Sequence, residues 1–189
     1  MRRTSEAMKN PEHLALNGRE YAVLRLLGKG KGGYTYLAER DGVQYALKQI
    51  HPEPCDYYQF GDKLAAELGD YEKLSALNIP IPALLDVDRD AERLLKELLP
   101  GETVYQLVLR NALEPWHMEQ ARALSQTLRE AGLNIDWFPT NFIPKDGALY
   151  YVDYECNPYM DQWSFETWGL AYWSRTPDFD AYARDHGDL

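Results

Sequence analysis

Alternating apolar and polar residues fill the first half of the chain. Over 21–50 the text reads YAVLRLLG, then KGKGG, then YTYLAER, a turn at Asp41-Gly42, and VQYALKQI. The alternation predicts three strands, and Asp-Gly between apolar runs predicts a hairpin. The period changes over 62–77, where Leu64, Leu68, Tyr71, Leu74 and Leu77 recur at near-helical spacing with charges between them. This predicts an amphipathic helix, stopped by Asn78-Ile79-Pro80. Residues 83–87 and 93–98 add two strands about the polar turn DRDAE, giving five strands and one helix. Thr103 is placed to cap a helix over 104–110. Glu114-Pro115 opens a longer helix through 130, with Met118, Ala121, Leu124 and Leu128 as its buried stripe and Gly132 as its end. A short connection over 133–140 leads to a hairpin of NFIP and LYYVDYE about Lys145-Asp146-Gly147. The last stretch, rich in Trp and Tyr, reads as a helix plus a loose tail.

These elements describe an α+β chain of 189 residues, enough for one domain or two small lobes. Hydrophobic content of 45% with 13% aromatic residues excludes a disordered polar chain. No apolar run reaches the roughly 18 residues of a membrane span, so a soluble globular protein without a membrane partner is expected. The opening MRRTSEAMKN has arginines but no apolar stretch after them, unlike a secretory signal. Cys55 and Cys156 are too few for a disulfide scaffold and neither lies in a CxxC pair, so a reducing cytoplasm is the expected location. With 20 Lys+Arg against 30 Asp+Glu, a net charge of −10, nucleic acid is not an expected partner. His13, His51, His117 and His186 show no zinc-binding spacing.

Four constellations carry candidate chemistry. Gly28-Lys29-Gly30-Lys31-Gly32-Gly33 is a GxGxxG between two strands, where glycine lets the backbone approach a phosphate closely. An ordinary Gly-rich hairpin turn is the other reading. A dinucleotide fingerprint is excluded because a strand follows, not a helix. Lys29 and Lys31 read as a local phosphate attractor or as part of a solvated turn. Lys48 follows Tyr45-Ala46-Leu47 near the end of an apolar strand, as a snorkelling edge residue or as an ammonium held toward phosphate by a helix glutamate. Glu67 is preferred over Glu72 for that partner because it lies nearer the centre of the helix. Asp136-Trp137-Phe138-Pro139-Thr140-Asn141 is a D-x-x-x-x-N in a turn, and Asp153-Tyr154-Glu155 follows an apolar strand. Together they offer hard oxygen ligands for Mg²⁺ and one free carboxylate to receive a hydroxyl proton. Taken singly, Asp136 reads as a cap and Asp153 as a strand-end turn former.

The order of these parts along the chain is that of a phosphoryl-transfer apparatus, and over 26–155 the sequence resembles the protein-kinase-like superfamily. Ala46-Leu47-Lys48 stands where that family has its A-x-K. The stretches IPIPALLDVD and LLKELLPGETV resemble those of small atypical kinases and of the aminoglycoside- and choline-type phosphotransferases. The resemblance implies a bilobal kinase-like fold. An N-terminal extension over 1–20 precedes a nucleotide-binding lobe over 21–99, with a five-stranded antiparallel sheet plus one helix. A short, mostly helical lobe over 100–189 carries the catalytic and metal loops and an aromatic C-terminal helix. It further implies ATP and Mg²⁺, with Gly28 to Gly33 over the phosphates and Lys48 on the α- and β-phosphates, held by Glu67. Glu97, Leu98 and Leu99 would face adenine, and Asn141 and Asp153 would bind the metal. Asp136 would receive the proton of a hydroxyl acceptor, a protein Ser/Thr or a small molecule.

The chain also departs from the pattern. Asn134-Ile135-Asp136 stands where the family has H-x-D, Tyr154-Glu155 replaces the Phe-Gly of D-F-G, and Thr35 replaces a valine. Without the hinge-like glycine, a flip of the Asp153 segment is not expected. No A-P-E follows, and the stretch after Asp153 is short, which suits a minimal kinase of the RIO-like or Kdo-kinase-like kind. These departures keep a second reading open, a pseudokinase or nucleotide-binding interaction module. Lys48, Asp136, Asn141 and Asp153 speak against it. A third reading is a plain α+β domain with chance motifs. Trp163, Phe165, Trp168, Tyr172 and Trp173 read as core, or as a substrate or partner groove, with Phe165, Trp168 and Tyr172 on one helical face. Cys156 reads as a small inert hydrophobe.

Overall fold

The computed structural model describes residues 11–30, 32–50 and 62–187; Lys31, His51 and Cys55 lie outside them. The chain is mixed α+β and forms two compact units, one of residues up to Leu64 with Ala83–Leu98, the other of Ala65–Pro82 with Leu99–Leu189. Residues 65–82, kept with the first half by the sequence division, therefore group with the second. Among the described residues no helix is long and apolar enough to cross a membrane.

The first unit is one curled antiparallel sheet in the order β1-β2-β3-β4-β6-β5. Its strands are β1 (His13–Leu16), β2 (Arg19–Gly30), β3 (Gly33–Arg40), β4 (Val43–Ile50), β5 (Leu84–Asp88) and β6 (Arg93–Glu97). The sheet thus has six strands, not the expected five. The added strand comes from the stretch assigned to an extension and is turned back by Asn17-Gly18, both at positive φ, as a two-residue hairpin requires. Asp41-Gly42 does the same between β3 and β4, as the sequence predicts. Asn17 also reaches the far end of the sheet. Its Nδ2 donates to Asp86 Oδ1 and to the Val87 carbonyl, and its N–H donates to Asp88 Oδ2 at 2.7 Å. Arg93 donates from Nη1 to the Ala15 carbonyl. Leu14, Leu16, Tyr21, Tyr36, Ala38, Leu47 and Leu95 form the core of this unit. Strand alternation puts Lys48 on the face opposite Leu47.

The second unit holds α1 (Lys63–Ala76), which begins in the first, α2 (Val104–Leu109), α3 (Pro115–Glu130) and α4 (Pro177–His186), with two small antiparallel pairs. These are β7 (Leu133–Ile135) with β10 (Cys156–Pro158), and β8 (Phe142–Lys145) with β9 (Ala148–Tyr151). Asn78 takes positive φ after α1, as does Gly132 after α3, each where the sequence ends the helix. Thr103 caps α2 in a reciprocal pair with Gln106. On α3 the buried stripe is His117, Ala121, Ser125 and Leu128, with Met118 and Leu124 half-buried. Two polar residues hold core positions because each is bonded. His117 Nδ1 accepts the Glu114 N–H at 2.9 Å, and Ser125 Oγ donates to Glu166. The predicted aromatic helix is not formed over 163–173. Short 3-10 turns, Asp161–Trp163 and Gly169–Tyr172, carry those residues, and the helix comes later as α4, capped by Thr176. Gly169 marks the reason, since a Cβ there would lie 2.9 Å from both Trp137 Cβ and the Phe165 ring. The backbone is pressed against the core at that point.

Candidate active site

In the first unit, Gly28 and Gly30 end β2 on an exposed edge, and space within 4 Å of a Cβ at either is empty. Gly33 differs. It is buried with φ +152°, and a Cβ there would stand 2.1 Å from the Gln49 carbonyl oxygen. Its glycine is thus demanded by contact between β3 and β4. Register shifts near Val23 and Leu26 bend β2 ahead of this turn. Lys29 places its Nζ 5.3 Å over the Tyr34 ring. Lys48 is buried in β4, opposite Thr35 of β3 and Leu94 of β6. Glu97 ends β6, its carboxylate accepting from the Ala83 N–H at 3.3 Å; Leu98 follows half-buried.

The second unit holds Glu67, Leu99, Asp136, Asn141 and Asp153. Glu67 is buried on α1 while Glu72 is exposed. Leu99 is buried. The loop after β7 is closed by its own polar groups. Asp136 Oδ1 accepts the Phe138 N–H at 3.0 Å, and Asn141 Nδ2 donates to the Asp136 carbonyl at 3.3 Å. The Asn141 carbonyl in turn accepts the Val152 N–H at 2.9 Å, which ties the residue before Asp153 to this loop. Asp153 Oδ1 accepts the Tyr154 N–H. The Tyr154 hydroxyl donates to the Pro82 carbonyl at 2.7 Å. The fully buried Tyr151 hydroxyl donates to the Glu155 carbonyl. Burial, then the charges of Asp153, Asp136 and Glu155, push its pKa well above the usual tyrosine value.

The chain matches no protein-family model and no curated protein.

Asp136, Asn141 and Asp153 are thus joined within one unit. Lys48 belongs to the other unit from Glu67. Among the described residues no three His, Cys, Asp or Glu side chains gather as a metal cluster.

Sequence reasoning missed several supports. Asn134 is buried and uses both ends of its amide, and the buried Tyr151 hydroxyl holds the Glu155 carbonyl. The only local signal for Tyr151 was its alternation with Leu149. A hollow of about 620 Å³ on the sheet of the first unit was also unforeseen. It is lined by Arg19, Tyr21, Arg40, Asp41, Tyr45 and Asp86, among others. Its arginines are matched by carboxylates, Arg19 by Asp86 at 3.6 Å and Arg40 by Asp41 at 3.3 Å.

Proposed function

We propose that the chain is an ATP- and Mg²⁺-dependent phosphotransferase of kinase-like, bilobal organisation, moving the γ-phosphoryl group of ATP to a hydroxyl acceptor. The observation that carries this reading is the bonding of Asn141 to Asp136, in a loop whose next bonded neighbour precedes Asp153. The burial of Lys48 and Glu67, with Glu72 exposed, supports their roles in the same scheme.

In this reading the backbone of Gly28 to Gly33 covers the phosphates, and Lys48, with Glu67 as its counter-charge, offsets their charge. Glu97, Leu98 and Leu99 face adenine. Mg²⁺, when bound, neutralises charge on the phosphates, and Asn141 and Asp153 would hold it. The acceptor oxygen forms a bond to the γ-phosphorus as the bond to the β,γ-bridging oxygen breaks, ADP leaves, and the hydroxyl proton passes to Asp136. Catalysis then rests on positioning and charge neutralisation. The acceptor is a protein Ser/Thr or a small-molecule alcohol, and an ATP-rich cytoplasm is the setting the reading implies.

Thermal-shift titration with ATP, with and without Mg²⁺, tests the nucleotide site, and Asp153→Ala should lose the metal-dependent part. Single-turnover transfer from γ-labelled ATP, with casein, glucose and the chain itself as acceptors, tests the chemistry. Asp136→Ala should abolish transfer and leave ATP binding within about twofold, a proton-transfer group being worth about 100-fold or more. Transfer by that variant at the wild-type rate would remove Asp136 from the role. Stabilisation by MgATP without transfer would leave a nucleotide-binding interaction module, and no shift under any condition would sink both.

A further inference from the structure

The residues on either side of Asp136 are both held by the C-terminal aromatic segment. On one side Asn134 donates from Nδ2 to the Trp163 carbonyl at 2.7 Å. On the other, Trp173 donates from Nε1 to the Trp137 carbonyl at 2.7 Å. The two sides are then linked, because Trp137 Nε1 donates to Asn134 Oδ1 at 2.8 Å. Asn134, Trp137 and Trp173 are all buried. The rings lock the same place: Trp137 lies nearly parallel to Phe142 at 5.5 Å and against Phe165 at 5.1 Å, and Trp173 stands edge-on to Phe165 and Phe142.

The Asp136 carboxylate itself is exposed and takes its direction from the Phe138 N–H, one residue past Trp137. Its aim is therefore set by the backbone over 134–138, and that backbone is fixed by bonds coming from 163–173. In a low-dielectric core such bonds are stiff, and removing one donor leaves a buried carbonyl unpaired.

We propose that Asn134 and Trp173 are positioning residues for Asp136, and that the segment 163–173 is an internal brace for the proton-accepting loop. Asn134, where the resembled family has histidine, is then a working part of this brace. The inference rests on the phosphotransfer reading for its catalytic consequence, but the brace is a physical property that can be measured without it.

The test compares Trp173→Phe, which keeps an aromatic ring and deletes the N–H, with Phe179→Leu. Phe179 is fully buried in the same core and packs on Tyr105 at 5.2 Å, but its side chain makes none of these bonds. Amide exchange at Phe138 should speed up in Trp173→Phe about tenfold or more relative to Phe179→Leu at matched thermal stability. Turnover of γ-labelled ATP, to casein, glucose or water, should show kcat lowered about tenfold or more with KM for MgATP within about threefold, since small displacements of a reacting group cost rate rather than binding. Asn134→Asp keeps the acceptor for Trp137 and removes the donor to Trp163, and it should give the same pattern if Trp173→Phe does not fold. Equal exchange and equal kcat in the brace variants and Phe179→Leu would overturn the proposal. If the wild type turns over no ATP, the phosphotransfer reading fails, and the Phe138 exchange comparison alone decides the brace.

Discussion

Gly33 approaches Gln49 so closely that a Cβ on the glycine would sit 2.1 Å from the Gln49 carbonyl oxygen. With φ at +152° as well, Gly33→Ala should destabilise the chain by about 2–4 kcal/mol through strain and clash. Gly28 and Gly30 have open space around them and no positive φ. Gly28→Ala and Gly30→Ala should leave the urea midpoint near wild type. If the loop covers phosphates they should weaken MgATP binding about tenfold or more, because the added methyl meets the ligand and not the protein. A stable Gly33→Ala, or ATP binding unchanged in both edge variants, would reverse the assignment of these glycines.

The two helix glutamates separate by burial, Glu67 inside and Glu72 in solvent. Glu72→Gln should change neither stability nor ATP turnover, as exposed charges contribute little. Glu67→Gln should reduce turnover about tenfold or more, with MgATP affinity falling alongside it. Calorimetric titration and turnover, run on both variants, decide the matter. Equal behaviour of the pair would remove Glu67 from the lysine's side.

Cys156 gives an alkaline limit. Burial, with Asp70 and Glu155 beside it, pushes its thiol from 9.0 to about 12, against an opposing pull from Lys73. The folded chain therefore holds this proton more tightly than the unfolded chain. The stability it contributes is complete below about pH 9, is lost as pH rises above that, and is gone by the folded value. Tyr36, Tyr151, Tyr182 and Lys73, also raised, start from 10.0 or above. Between pH 9 and 10 the slope should thus belong mainly to Cys156. Chemical denaturation of Cys156→Ala should show a flatter pH dependence there, and an unchanged slope would exclude the thiol as its source.

His117 gives the acid limit. Burial lowers its pKa, against a raising influence from Glu114, and its Nδ1 must stay unprotonated to accept the Glu114 N–H. A depressed histidine contributes stability above about pH 6.5 and loses it as pH falls through the folded value. The start of α3 should weaken as pH falls below about 6.5. His117→Gln should abolish that dependence while keeping the reciprocal cap, as Gln106 does for Thr103 on α2. Urea midpoints measured over that fall in pH will show this, and a wild-type midpoint constant over it would discount the histidine.

Local signals carried most of the fold. The turns at Asp41-Gly42 and Asp146-Gly147, the stops at Asn78 and Gly132 and the cap at Thr103 each depend on neighbours in sequence, and each was legible. Asn17-Gly18 carries the same turn chemistry, yet the strand it closes, His13–Leu16, spans too few residues to declare a period. The ladder of β7 with β10 was hidden for another reason: Ile135 pairs with Cys156 across a long stretch of intervening chain, and strands this short give no alternation. Within the candidate site, the D-x-x-x-x-N spacing announced Asp136 and Asn141. What the bonds of Asn134 do was not announced, because they run to Trp163 and Trp137, and only the folded chain brings those partners in.

The reach of Asn17 across the first unit has a consequence for solubility. An open sheet offers unpaired carbonyls and amides at its first and last strands, where another chain can add. Here the carbonyls of Val87 in the last strand and Ala15 in the first are already taken, by Asn17 and Arg93. The two edges are joined by side-chain bonds instead of a ladder, which leaves fewer open backbone groups for an added strand to pair with.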